Sequence, residues 1–334
     1  MKSELWLSKN QLSNLLLLIL FSTAMWALQW FFPVSDIQDL RHMPGLLLHG
    51  TSGFDIPQNL AVLLGYPILL FNLFLLFKLN SRFQIIANAN FLIAWMYLFI
   101  SCTDYRFLHF SPGLVSVSLF LVILNILFAS IQKRKALKEM YFAGLLLFSA
   151  ALLNAVIVVF VLFVFIALPM GKNYHWREYA NFIFGMITVI ILVTGVFYIT
   201  NSMDTLHHMP GIKAVFPGLK LPDYKVVLHD FIIGIFIITA LIHLAGRMGF
   251  HKIIVRRYFN VIILLLTVTI LTYFFVDMGI TFRFYLGIPV SFILTHFVIY
   301  TKYNYLKRSF LWFLFIMMVI SEVLAVFNTL SQAG

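Results

Sequence analysis

The chain has 334 residues, of which 62% are apolar and only 10% charged, with a formal net charge of +11. Soluble domains carry roughly 25% charged residues, so a fold surrounded by water is excluded: it could not hide this much hydrocarbon. The single cysteine, Cys102, excludes an internal disulfide framework and any multi-cysteine metal or iron-sulfur site, and the basic excess is scattered over short connections, where it signals topology and not nucleic acid.

Apolar runs of about 18 residues or more recur along the whole chain, each the length a helix needs to cross a hydrocarbon core of roughly 30 Å. They lack the alternating short-strand pattern of an outer-membrane barrel, so they are helices, the other structure that satisfies its own backbone in lipid. The first covers about 11 to 32 behind Lys2 and Lys9; with no small-residue cleavage site after a short apolar core, it reads as a retained helix. Further spans are expected at 57 to 77, 83 to 102 and 113 to 131. From Met140 to Met170 there is no charge, yet one helix over that stretch would measure about 46 Å, and Asn154 interrupts it near the middle. Two short helices meeting near Asn154 are therefore expected, followed by spans at 176 to 200, 226 to 246, 258 to 276, 281 to 300 and 309 to 330.

Charge supports the hairpin. If 140 to 169 returns to the side it left, Lys133, Arg134, Lys135 and Lys138 lie with Lys172 and Arg177, and every later basic loop falls on the same side. That topology places 17 Lys and Arg inside and 6 outside. It predicts a cytoplasmic amino terminus, 11 crossings of which two are short, and an outside carboxyl terminus. The fold class is all-α, a polytopic transmembrane bundle of about 10 to 11 spans forming one integral membrane domain, 1–334.

Acidic residues gather on the other side: Asp36, Asp39, Asp55, Asp104, Asp204, Asp223, Asp230 and Asp277 fall on or near the outer face, and Glu4, Glu139 and Glu178 inside. The positive-inside rule does not account for that skew. The first outer loop, Pro33 to Pro57, concentrates Asp36, Asp39, Arg41, His42, His49 and Asp55. A carboxylate just outside a span can act as general base toward a hydroxyl, and an adjacent Arg can hold phosphate; an amphipathic loop helix in the headgroup layer is the structural alternative. The second outer loop, 201 to 225, carries His207, His208, Met209, Pro210 and Gly211, so Leu-x-His-Met-Pro-Gly occurs twice, here and at Leu40 to Gly45.

Polar residues within or at the ends of spans are Asn88, Asn90, Asn125, Asn154, Asp230, His243, Arg283, His296 and Glu322. Such groups face the bundle interior and mark pairing or a pathway. Arg283 and Glu322 both fall in outer halves of late helices, where an ion pair between them is expected; the asparagines suit interhelical hydrogen bonds. His229 and His243, 14 residues apart, have the spacing of stacked haems, but two more histidines on a partner helix are needed and only His296 sits in another span. No HxxxH or HxxHH box occurs, and His207 with His208 cannot build a metal oxygenase site alone.

Two resemblances rest on the segment from Phe110 to Thr200: FSPGLVSVSLFLVILNILFAS, then the basic turn opening QKRKALKEMYFAGLLLFSAALLNAVIVVFVLFVFIAL, then HWREYANFIFG. It resembles a family of Bacteroidota inner-membrane proteins, some labelled β-carotene monooxygenase, an activity the histidine census does not support. More distantly, the order of features over about 1–200 resembles the membrane core of C-type glycosyltransferases: an acidic first outer loop, a Ser-Pro before the fourth span, a basic inner turn, a short helical hairpin and a Trp-Arg turn. That resemblance implies a core at 1–200 and four further spans with an outer loop at 201–334. It implies a catalytic acid in the first outer loop, Asp39 or Asp36, with Arg41 and His42 beside Asp39. Phosphate would be held by Arg41, Arg106 or Arg283, with His42, Asp104 and His208 in the same outer group. A second acid often follows the Pro before the fourth span in that superfamily; here Gly113 stands there, with Asp104 the substitute, so a divalent metal is a cofactor the pattern leaves unsupported. The function so implied is envelope glycan assembly on a sugar carried by polyprenyl phosphate, with membrane lipid as partner and no nucleic acid. The alternative is a non-enzymatic transporter or envelope-assembly partner, which requires a continuous polar pathway through the bundle.

Overall fold

The structure, a computed structural model, describes residues 11–31, 58–87, 91–101, 110–133, 135–170, 175–200, 224–275 and 281–333, and the side chains of these except at 11–12, 28–31, 58–59, 224–232, 321–322 and 324–333. Eleven α-helices and no strand occur among the described residues. In chain order they are α1 (Gln11–Phe31), α2 (Gln58–Phe83), α3 (Leu92–Ser101), α4 (Pro112–Gln132), α5 (Leu137–Leu153), α6 (Val159–Ala167), α7 (Trp176–Ile199), α8 (Tyr224–Arg247), α9 (Ile253–Phe275), α10 (Thr281–Tyr300) and α11 (Asn304–Ala333). Six of them are long and apolar enough to cross a bilayer within α2, α4, α7, α8, α9 and α10.

These helices are apolar all round, and their outward faces stay apolar: Phe184, Ile191 and Leu192 on α7, Ile238 and Ile242 on α8, and Trp312 and Ile316 on α11 are all exposed. Each such side chain would cost roughly 1.5–3 kcal/mol if left in water, so the surrounding solvent is lipid. The chain is a multi-pass α-helical membrane protein. α10 stands at its centre, with 15 of its 20 residues buried. α3, α4, α8 and α9 pack around it.

The uncharged stretch folds as its length and Asn154 imply. α5 ends at Leu153, Asn154 breaks it, and a 3-10 turn at Ala155–Val158 leads into α6. The buried Asn154 side chain accepts from the Val156 N–H at 3.2 Å, capping the turn. The chain then returns to its starting side. The Glu178 carboxylate, at the start of α7, accepts from the Ala136 N–H at 3.0 Å, just ahead of α5. Farther along, Tyr141 donates to Thr188 at 3.1 Å. Both helices therefore run the same way from one level, and parallel neighbours are reached only if the segment between them doubles back. The seam is a narrow stripe on α7, Glu178, Phe182, Gly185 and Val189, against Met140, Ala143, Gly144, Leu147, Ala150 and Ala151 on α5. Two glycines set its closeness: a Cβ on Gly144 would sit 2.0 Å from the Phe182 carbonyl oxygen, and one on Gly185 2.1 Å from that of Tyr141. Small residues let membrane helices approach backbone to backbone where no hydrophobic force draws them together.

One expected span is shorter than its hydropathy. Among the described residues of the run 83 to 102, Phe83 ends α2, residues 84–87 are not helical, and Leu92–Ser101 forms α3. α2 closes on Gln84, whose N–H donates to the Asn80 carbonyl at 2.7 Å and whose φ is 46°. Asn80 then holds both backbone polar groups of Ile86: its Oδ1 accepts from the Ile86 N–H at 2.9 Å, and its Nδ2 donates to the Ile86 carbonyl at 3.2 Å. Irregular backbone is tolerated at membrane depth only when its polar groups are satisfied from within the protein, and this amide does that.

Contacts place one set of helix ends together. Phe83 packs on Phe128 and Tyr258, the Gln132 amide donates to Tyr258 at 2.7 Å, and Lys307 donates to the Ile299 carbonyl at 3.2 Å. This end carries Lys133, Lys252, Arg256, Arg257, Lys302, Lys307 and Arg308 and is called the basic end below.

Candidate functional site

Of the residues expected to carry chemistry, Asp36, Asp39, Arg41, His42, Asp104, Arg106 and His208 lie outside the described residues. So do Asn88, Asn90 and Asp55, and the side chains of His229, Asp230 and Glu322, which leaves the expected Arg283–Glu322 pair outside as well. The ends of the helices that border those loops are described. α1 and α2 are antiparallel, joined by the Trp26 indole donating to the Val62 carbonyl at 2.6 Å, and the Phe110 N–H donates to the Ala61 carbonyl at 2.9 Å. The C-terminal end of α7 and the N-terminal end of α8 lie opposite the basic end, because α7 starts beside Ala136 and α8 finishes beside the basic-end histidines. The helix ends bordering the loops that carry Asp36, Asp39, Asp104 and His208 thus share one end of the bundle. Arg283 stands in the first turn of α10 at that end, half-buried.

Beneath that end lies a layer of buried hydroxyls and amides that hydropathy did not single out. Ser111 caps α4: its Oγ accepts from the Leu114 N–H at 3.2 Å, and Pro112 fills the first helical position. This Ser-Pro therefore has a local structural role. Gly113, at the position where an acid was sought, is buried, and its carbonyl accepts from the Ser116 hydroxyl at 2.6 Å. Ser116 Oγ in turn lies 2.7 Å from the Tyr285 hydroxyl, which therefore donates. Nearby, Tyr97 and Ser101 of α3 face Gly287 of α10, where an added Cβ would lie 2.9 Å from Ser101 Oγ. Ser118 donates to Asn72 Oδ1 at 2.7 Å, leaving the Asn72 Nδ2 buried without an acceptor. Asn125 makes the interhelical bond expected of it, accepting from Arg82 Nη1 at 2.7 Å.

A second cluster occupies the basic end, and only part of it was foreseen. His243 near the end of α8, His251 in the connection to α9 and His296 of α10 come together. The Nε2 atoms of His251 and His296 are 2.9 Å apart, and the His243 and His296 ring centroids 5.9 Å. Tyr300 and Phe259 pack on both His251 and His296. His296 is fully buried. A 3-10 turn at Met248–Phe250 folds His251 back over the end of α10. Burial, and then the charge of Arg247, hold the His251 imidazole below its ordinary range. The Nδ1 atoms of His243 and His296 and the Nε of Arg256 are buried without a hydrogen-bond partner. Among the described residues no group of three or more His, Cys, Asp and Glu is placed to hold a metal ion.

Tyr285 and His296 lie on the same face of α10, eleven residues and so about 16 Å apart. Between the two clusters that helix presents Ile288 and Phe292, both buried, and Phe120 and Phe160 pack on Tyr285 from below. On this face of α10 the two polar clusters are separated by apolar and aromatic side chains. Fold and lipid-facing surface together define a multi-pass membrane protein. Searches against protein-family models, curated proteins and solved structures find no match to this chain.

Proposed function

We propose that the chain is an inner-membrane protein of envelope glycan assembly that binds, and transfers, a sugar carried on polyprenyl phosphate at the outer face. The observation that carries this reading is the parallel pairing of α5 with α7 through Glu178, Gly144 and Gly185. It turns the short hairpin back to its starting side, so the helix ends flanking the acidic loops meet at one end and the cationic connections at the other. The capping Ser-Pro of α4 and the short broken hairpin after it also stand in the order that the likeness to C-type glycosyltransferases calls for. In this reading Asp39 or Asp36 is the general base toward the acceptor hydroxyl, and Arg41, Arg106 or Arg283 holds phosphate. The sugar arrives on a lipid because the outer face has no supply of nucleotide sugars. The apolar and aromatic side chains on the face of α10 between Tyr285 and His296 favour chemistry at one face of the bundle. Complementation of a deletion strain tests the reading: D36A/D39A should abolish glycan assembly while the protein still inserts, and full activity of that variant overturns the catalytic role.

A further inference from the structure

The histidine cluster at the basic end holds buried polar atoms that lack a hydrogen-bond partner. His296 is fully buried, with one ring nitrogen against His251 and the other, Nδ1, unpartnered. His243 Nδ1 and Arg256 Nε are in the same condition. Arg256 precedes Phe259 by three residues, on the face of α9 whose Phe259 touches His251 and His296. Arg247 stands in the last turn of α8, four residues after His243 and so on the same face of that helix. The two carboxylates described at this end are engaged elsewhere, Glu139 with Lys133 and Glu178 with the Ala136 N–H. Buried N–H groups without partners each cost roughly 1–3 kcal/mol, and cations at membrane depth mark a ligand or a pathway. The rings do not converge as metal ligands. What complements a buried, cationic cluster of nitrogens at the level where α8 and α10 end and α9 begins is an oxyanion.

We propose that this cluster is a phosphate-binding site, taking the phosphoryl group of a lipid headgroup or of a soluble phosphate ester, with His296, His243, Arg247 and Arg256 as its donors. It lies at the opposite end from the loops of the glycan reading and does not depend on it. The 2.9 Å contact requires one ring to donate and the other to accept. With an anion accepting from His296 Nδ1, His296 accepts at its Nε2 and His251 donates from Nε2.

The test uses the full-length protein in nanodiscs of phosphatidylcholine. Phosphatidylglycerol is titrated into the discs in one arm, and inorganic phosphate or glycerol phosphate is added from solution in the other. Binding is followed by native mass spectrometry and calorimetry, and the histidine tautomers by ¹⁵N NMR. Saturable one-site binding is expected, weakened roughly tenfold or more by R247Q and by H243N but less than twofold by R257Q. Saturation only in the first arm assigns the site to a lipid headgroup, and saturation in the second assigns it to a soluble ester. The proposal is overturned if neither arm saturates, if R247Q and H243N bind as the wild type does, or if stoichiometric zinc or copper is retained and lost in H251N. Should the variants fail to fold, the wild type decides: a His296 proton on Nε2 in the presence of saturating phosphate overturns it.

Discussion

Gly144 offers the sharpest perturbation of the fold. Replacing it with alanine places a methyl carbon 2.0 Å from the Phe182 carbonyl oxygen, with the Phe182 carbonyl carbon at 2.9 Å and the Met186 nitrogen at 3.3 Å. A tolerable carbon to oxygen contact is about 3.3 Å, so α5 and α7 must separate by roughly 1.3 Å. All three obstructing atoms are backbone, so no side-chain rotation relieves the clash. Overpacking in a close-packed interior costs about 1–3 kcal/mol, and with no soft neighbour the upper end is expected. The separation also stretches the Ala136–Glu178 and Tyr141–Thr188 bonds at the same seam. G234A is the control, because a Cβ there meets nothing within 4 Å. Thermal unfolding of purified protein in nanodiscs should show G144A well below wild type and G234A at or above it. G144A/G185A should lose less than the sum of the single losses, since one separation relieves both clashes. Equal stability of G144A and G234A would refute the parallel close pair.

N80A should be more damaging than its position suggests: it frees the N–H and the carbonyl of Ile86, a loss of about 2–4 kcal/mol read as faster hydrogen exchange over 84–87. N154A removes the cap on the Val156 N–H and should cost about 1 kcal/mol in the same unfolding assay, whereas no change would show the break to be set by packing alone. Acid should loosen the basic end. His251 is held below its ordinary value of about 6.5, so between that value and its lowered one the unfolded chain binds more protons than the folded chain, and stability falls as pH drops below about 6.5. H251N should flatten the dependence of melting temperature on pH between about 7.5 and 5.5, and an unchanged slope would show that His251 is not its source.

The hairpin was legible because two independent signals met in it. An uncharged stretch too long for one crossing carries a polar residue at its centre, and the cationic connections agree on which side it must end. Asn154 sits at the observed break for the reason it stood out in the sequence: in lipid, an amide is kept where backbone needs a partner. The loss of helix ahead of Leu92 was not legible, because hydropathy measures side chains and residues 84–87 leave the helix through backbone bonds to Asn80. His251 was missed for a related reason. Its neighbours Arg247, Lys252, Arg256 and Arg257 made the connection read as a topology signal alone, and the turn at Met248–Phe250 folds it onto His296. The one available signal was the expectation that a buried histidine, His296, needs a partner. The acidic outer loops were conspicuous in composition, but composition alone does not fix how those carboxylates converge.

Sidedness supports both the grouping of the aspartates and the phosphate site, and labelling of introduced cysteines measures it most directly. In a C102S background, K135C, K172C, S202C and D277C are treated with a membrane-impermeant maleimide in intact and in permeabilised spheroplasts. K135C and K172C should label only after permeabilisation, and S202C and D277C in intact spheroplasts. K135C and K172C labelling from opposite sides would contradict the doubled-back hairpin, and a wholly inverted pattern would contradict the orientation.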